Sequence, residues 1–119
     1  MTIIIGAHMS IADGIMISLE QTVEIGANAL QIFGGSPRTS KRKKKYPNNY
    51  LKKCNQYIKD NKLYIVVHSA YVVNIAKSVK DNLPALESVK IDMQLVSQLG
   101  DEFGVVVHIG KMLKQDEEE

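Results

Sequence analysis

Short apolar runs alternate with amphipathic stretches along this chain. Ile3-Ile4-Ile5 is a compact apolar run that reads as a first strand, followed by a loop from Gly6 to Gly14 containing His8 and Ser10. Ile15, Leu19 and Val23 then recur at helical spacing with Ser18 and Thr22 beside them, and Gly26 and Asn28 stop that helix. Ala29 to Phe33 predicts the second strand, closed by Gly34-Gly35. A polar, basic loop leads to Tyr46-Pro47, and a helix starting at Asn48 or Asn49 carries Leu51, Cys54 and Ile58 on one stripe. Leu63 to Val67 is nearly continuous in apolar character and rich in β-branched residues, as a strand covered on both faces should be. A long connection reaches Pro84. Leu86, Val89, Met93 and Val96 then step at helical spacing and predict a helix ending at Gly100. Val105 to Val107 predicts the fourth strand.

Strict alternation of strand and helix implies parallel strands with helical crossovers, hence an α/β fold in one domain or part of one. An open doubly wound sheet and a (β/α)8 barrel both satisfy the periodicity. Residues 112–119 read as a frayed acidic tail.

Composition changes this picture little. The 119 residues are 45% hydrophobic and 24% charged, ordinary for a globular chain. The one cysteine excludes an internal disulfide and suits a reducing, intracellular compartment: cytoplasm, nucleus or a virus-associated setting. No apolar run approaches the roughly 20 residues that span a bilayer, so no membrane partner is expected. Cys54 sits on an apolar helical stripe and reads as core.

Charge is more informative. The net charge is +2, but four of the thirteen acids are Asp116 to Glu119; without them fifteen bases face nine acids. Six bases fall between Arg38 and Lys45. Arg38, Lys41, Arg42 and Lys43, preceded by Gly34-Gly35-Ser36, form a segment of the composition that phosphate contacts use. A solvated loop is the plain alternative. The segment is not a P-loop, since the terminal Gly-Lys-Ser/Thr is missing.

The three histidines carry the strongest chemical signal. His8 follows the first predicted strand, and His68 and His108 end the third and fourth. In parallel α/β folds the C-terminal strand ends share one face, where sites are built. Neutral imidazole is both a zinc ligand and a general base. Chance placement is the competing reading, and Asp13 is the only acid near these loops. Tyr71 and Val72, after His68, fit either packing beneath their loop, which the bare residues favour, or an exposed wedge between bases.

Taken together, four segments resemble the endonuclease IV family of zinc-dependent apurinic/apyrimidinic endonucleases. These are Gly6-Ala7-His8-Met9-Ser10 with Gly14, Ala29-Leu30-Gln31-Ile32-Phe33 leading to Arg38, Val67-His68-Ser69-Ala70-Tyr71-Val72-Val73-Asn74, and Val105-Val106-Val107-His108-Ile109-Gly110. The resemblance covers essentially the whole chain. It implies a (β/α)8 TIM-type barrel, of which about the first four strands and three helices are present. It further implies hydrolysis of DNA 5′ to abasic sites, and a cluster of three zinc ions in the complete enzyme. His68 and His108 match zinc ligands; Arg38, Tyr71 and Val72 match residues that enter the duplex; His8 matches a residue of the barrel mouth. The Asn/Gln-rich stretch of the family is Gly34-Gly35-Ser36-Pro37 here, and the basic run Lys41 to Lys45 is heavier than usual.

Such a barrel needs about 250 residues. The expectation is therefore a chain that is inactive alone, holding at most one zinc weakly, with double-stranded abasic DNA as partner and a second polypeptide that would complete the barrel. Two other classes remain: a nucleic-acid-binding module that does not cut, and a sugar isomerase or epimerase of the xylose-isomerase-like barrels.

Overall fold

The computed structural model describes residues 2–42 and 46–111; Lys43 and the segment 112–119 lie outside the described residues. The elements run β1 (Gly6–His8), α1 (Ile15–Glu24), β2 (Ala29–Phe33), α2 (Asn48–Asp60), β3 (Tyr64–His68), α3 (Leu83–Leu99) and β4 (Val105–Val106). All three strand pairings are parallel and the order across the sheet is β1-β2-β3-β4. A doubly wound sheet reverses strand order at a switch point. Here each strand is laid beside the last without reversal, and α1 packs on α2 and α2 on α3. Consecutive right-handed crossovers place successive helices on the same face. The sheet is thus the wall of a barrel, and the alternation left open by periodicity is resolved.

Side-chain parity divides the sheet into two faces. Leu30, Ile32, Ile65 and Val67 are buried against the helices together with Ile15, Leu19, Leu51, Cys54, Ile58, Leu95, Val96 and Leu99. The register sets Gly6 beside Ala29 and Tyr64, His8 beside Gln31 and Val66, and Phe33 beside His68 and Val106. These residues share the opposite face, the interior of a closed barrel. Cys54 is fully buried, and that burial pushes its thiol pKa up against the opposing hydrogen bond from Tyr50, so the group is a core side chain.

Three expectations are corrected. The first strand is Gly6–His8, not Ile3-Ile4-Ile5; those isoleucines are exposed. Asn28 holds this segment with side chain and backbone together: its Oδ1 accepts from the Ile5 N–H and its Nδ2 donates to the Ile3 carbonyl, each at 2.8 Å, and its own N–H donates to the Ile5 carbonyl at 3.1 Å. Gly6 lies so close to β2 that a Cβ there would collide with the Ala29 carbonyl. The fourth strand stops at Val106, because Val107 turns onto a small second cluster with Ala70, Val73, Ala85 and Val89.

The third correction concerns α3. It starts at Leu83, with Pro84 in its first turn, and buries Ala85, Ser88, Asp92, Leu95, Val96 and Leu99. Leu86 and Met93 are exposed. The inward stripe is offset from the apolar one because it includes Ser88 and the fully buried Asp92. Asp92 receives the Arg42 guanidinium there.

Candidate metal centre and nucleic-acid rim

His8 ends β1, His68 ends β3, and His108 lies two residues past β4. Parity turns His8 and His68 toward the face away from the helices, and His108 meets His68 there. Phe33, at the end of β2, lies against two of them and against Tyr71. Its ring centroid lies 4.6 Å from His8, 5.4 Å from His68 and 5.2 Å from Tyr71, the last two edge-on.

His68 is buried and His108 is exposed. Their Nε2 atoms are 3.0 Å apart. The Nδ1–H of His68 donates to the Ser69 carbonyl at 2.6 Å, which fixes its tautomer and leaves Nε2 as a lone pair. In the neutral pair the shared proton therefore resides on His108 Nε2. An imidazole whose Nδ1–H is held by a backbone carbonyl is the usual posture of a metal-ligating histidine. Two nitrogens about 2.0–2.1 Å from one tetrahedral zinc stand roughly 3.3 Å apart, close to the spacing found here. The donor set and its spacing thus fit two ligands of a zinc ion. Among the described residues no group of three or more His, Cys, Asp or Glu side chains comes together to hold a metal.

His8 is oriented differently. Its Nδ1 accepts from the Gln31 side-chain amide at 3.0 Å, so the proton sits on Nε2. Loss of solvent on one side lowers its pKa below the ordinary histidine value, and the neighbouring His68 adds in the same direction. A neutral His8 presents a donor, and it stands apart from the facing pair.

The loop after β3 separates its apolar residues. Ala70 and Val73 are buried in the second cluster, and the Val73 N–H donates to the Ala70 carbonyl at 3.1 Å. Tyr71 and Val72 occupy the corner of that turn and are 66% and 48% exposed. The packing that the bare residues favoured is overturned: Val73 and Ala70 take the interior positions. The Tyr71 N–H donates to the Pro37 carbonyl at 2.7 Å, joining this loop to the basic one. Asn74 joins it to the loop after β4: its Nδ2 donates to the Lys111 carbonyl and its Oδ1 accepts from the Lys111 N–H.

Within the basic loop, Arg38 and Lys41 are exposed. Arg42 is not available to phosphate as the run of bases suggested. Its side chain is 2% exposed and paired with Asp92. Gln31, Phe33 and Asn74 stood in the sequence motifs without a role of their own, and Asp92 was not singled out, although it is in phase with Ser88, Leu95 and Leu99.

Four parallel strands in consecutive order, with strand-end histidines facing one another, define part of a TIM-type barrel with a candidate metal site at its C-terminal mouth. No family model matches the chain. It is 35% identical over 115 residues to a protein of Halothermothrix orenii named "Probable endonuclease 4", covering 92% of this chain and 41% of that one. A protein of the same name from Thermosipho africanus is 34% identical over 114 residues, covering 92% and 40%. The crystal structure of endonuclease IV from Thermus thermophilus superposes with a TM-score of 0.79 at 27% identity, over 91% of this chain and 41% of that one. The chain belongs to the endonuclease IV family, and corresponds to the N-terminal part of its barrel. It spans about two-fifths of the length of these relatives. Among the described residues no helix is long and apolar enough to cross a membrane.

Proposed function

We propose that this chain supplies the N-terminal half of a zinc-dependent DNA repair endonuclease that hydrolyses the phosphodiester 5′ to an abasic site. The observation that carries the reading is the facing pair of Nε2 atoms on His68 and His108, 3.0 Å apart beside the exposed Tyr71 and Val72. His68 and His108 would hold one zinc ion. When bound, zinc in such a site activates water and stabilises the leaving oxygen.

The chain's own residues orient the duplex around that point. Arg38 enters the duplex with Tyr71 and Val72, and Lys41 meets phosphate, with Lys43 in the same run. Tyr71 and Val72 enter the stack where the abasic nucleotide leaves a gap, and the Phe33 ring edge keeps Tyr71 beside the histidines. His8 offers its Nε2–H at the mouth. A complete enzyme of this kind takes three zinc ions. The described residues give one pair of ligands, short of the roughly four that a tetrahedral zinc requires. The expectation for the 119 residues by themselves is at most one weakly held zinc, and DNA binding without cutting. The remaining ligands come from later strands, on the same chain or on a second polypeptide.

Fluorescence titration with a duplex carrying one abasic site, against the intact duplex, tests this reading. The abasic duplex is expected to bind more tightly. Tyr71→Ala should weaken that binding by roughly ten-fold, the size of a lost stacking contact, and barely affect the intact duplex. Equal affinity for the two duplexes, unaltered by Tyr71→Ala, would rule the wedge out.

A further inference from the structure

Arg42 lies in the middle of a basic run yet faces inward. Nε donates to Asp92 Oδ1 and Nη2 to Oδ2, both at 2.8 Å, a fork-to-fork pair with the carboxylate fully buried. The third nitrogen, Nη1, donates to the carbonyls of Thr39 at 3.2 Å and of Ser36 and Lys41 at 3.4 Å. One guanidinium thus gathers three carbonyls of the β2–α2 loop and fastens them to the middle of α3. Space is kept for this: a Cβ on Gly34 would collide with the Asp92 carboxylate, and one on Gly35 would lie 3.1 Å from Arg42 Cδ. A second anchor lies nearby, the 2.7 Å bond from the Tyr71 N–H to the Pro37 carbonyl. Arg38 sits between the two anchors and is exposed.

We propose that Arg42 and Asp92 form a latch that pre-orders the loop bearing Arg38, so that both are positioning residues for DNA binding and neither touches DNA. This rests on the reading of the loop as a DNA-contacting rim. A loop already ordered loses little conformational freedom on binding, which appears as affinity. The latch has a consequence that opposes simple electrostatics. Asp92→Asn makes the chain more positive, which by charge alone favours a polyanion. The latch predicts weaker DNA binding instead.

Two readouts on the whole chain test the proposal: the dissociation constant for abasic-site duplex at fixed salt, and the rate of trypsin cleavage after Arg38 and Lys41, followed by mass spectrometry. Asp92→Asn is expected to weaken binding by about five- to ten-fold, the cost of immobilising one or two side chains, and to speed cleavage at those bonds. Arg42→Met combined with Asp92→Leu fills the buried site with apolar groups. It should melt near the wild-type temperature while showing the same loss of loop protection and of affinity. Binding by either folded variant as tight as wild type overturns the proposal, whatever happens to proteolysis. Unchanged cleavage in both overturns the latch itself. Failure of the wild-type chain to bind any duplex would overturn the DNA reading and the positioning claim with it, while the tryptic rates still report separately whether the latch orders the loop.

Discussion

Replacing either His68 or His108 with alanine is expected to lower zinc affinity by at least about 100-fold, the upper end of what losing even a supporting contact costs a metal site. The two Nε2 atoms converge on one point, so the effects should not add. Once one ligand is gone, the other imidazole binds zinc no better than a free histidine, and the double variant should be no worse than either single one. His8→Ala is the internal control. Its Nδ1 is taken up by Gln31, and its removal should leave zinc affinity near wild type. Isothermal titration with zinc, or cobalt absorption as a spectroscopic substitute, measures all four proteins. Independent, additive losses from His68 and His108 would mean two separate weak sites, and an equal loss from His8→Ala would replace the pair with a different centre.

Arg42→Met should destabilise the chain by about 3–5 kcal/mol, because it strands the fully buried Asp92 carboxylate without its partner. Total stabilities of such domains are about 5–15 kcal/mol, so this is a large fraction of the whole. The midpoint of thermal unfolding should fall by on the order of 10–20 °C. Adding Asp92→Leu should recover most of that loss, since a buried pair exchanged for apolar groups of similar volume is often neutral or stabilising. The freed carbonyls of Ser36 and Lys41 belong to exposed residues and can turn to water. Denaturant unfolding of the single and double variants is the check. A double variant as unstable as Arg42→Met would show that the carbonyl contacts, and not the stranded charge, carry the cost.

Much of the fold was legible because local pattern and tertiary role agreed. The second strand and the middle helix fall where predicted, Ala29–Phe33 and Asn48–Asp60, each with an unambiguous apolar period and a Gly or Pro boundary. The failures share a cause: a side chain acting on a distant partner. Ile3-Ile4-Ile5 looked like a strand, but its backbone bonds go to the one residue Asn28, two of the three to its side chain, and the ladder begins at Gly6. The inward face of α3 could not be read from its apolar spacing, because Asp92 counts as polar until its partner, 50 positions away, is known. The strand-end histidines were visible in sequence, but their convergence was not. That depends on the register that sets Phe33 beside His68 and His68 beside Val106. Tyr71 and Val72 were equally ambiguous, since nothing local says that Val73 takes the buried position of the turn.

The central claim is that these residues carry a DNA-contacting rim and two zinc ligands of an endonuclease IV-type site, with the rest of the ligands elsewhere. Incubating the purified 119-residue chain with zinc and an end-labelled abasic-site duplex, and resolving binding and strand scission in parallel, tests it most directly. The predicted result is retention of the abasic duplex in preference to intact DNA, with no scission above the chain-free control. Zinc-dependent cleavage 5′ to the abasic site, in proportion to chain concentration and lost on adding a chelator, would contradict the account.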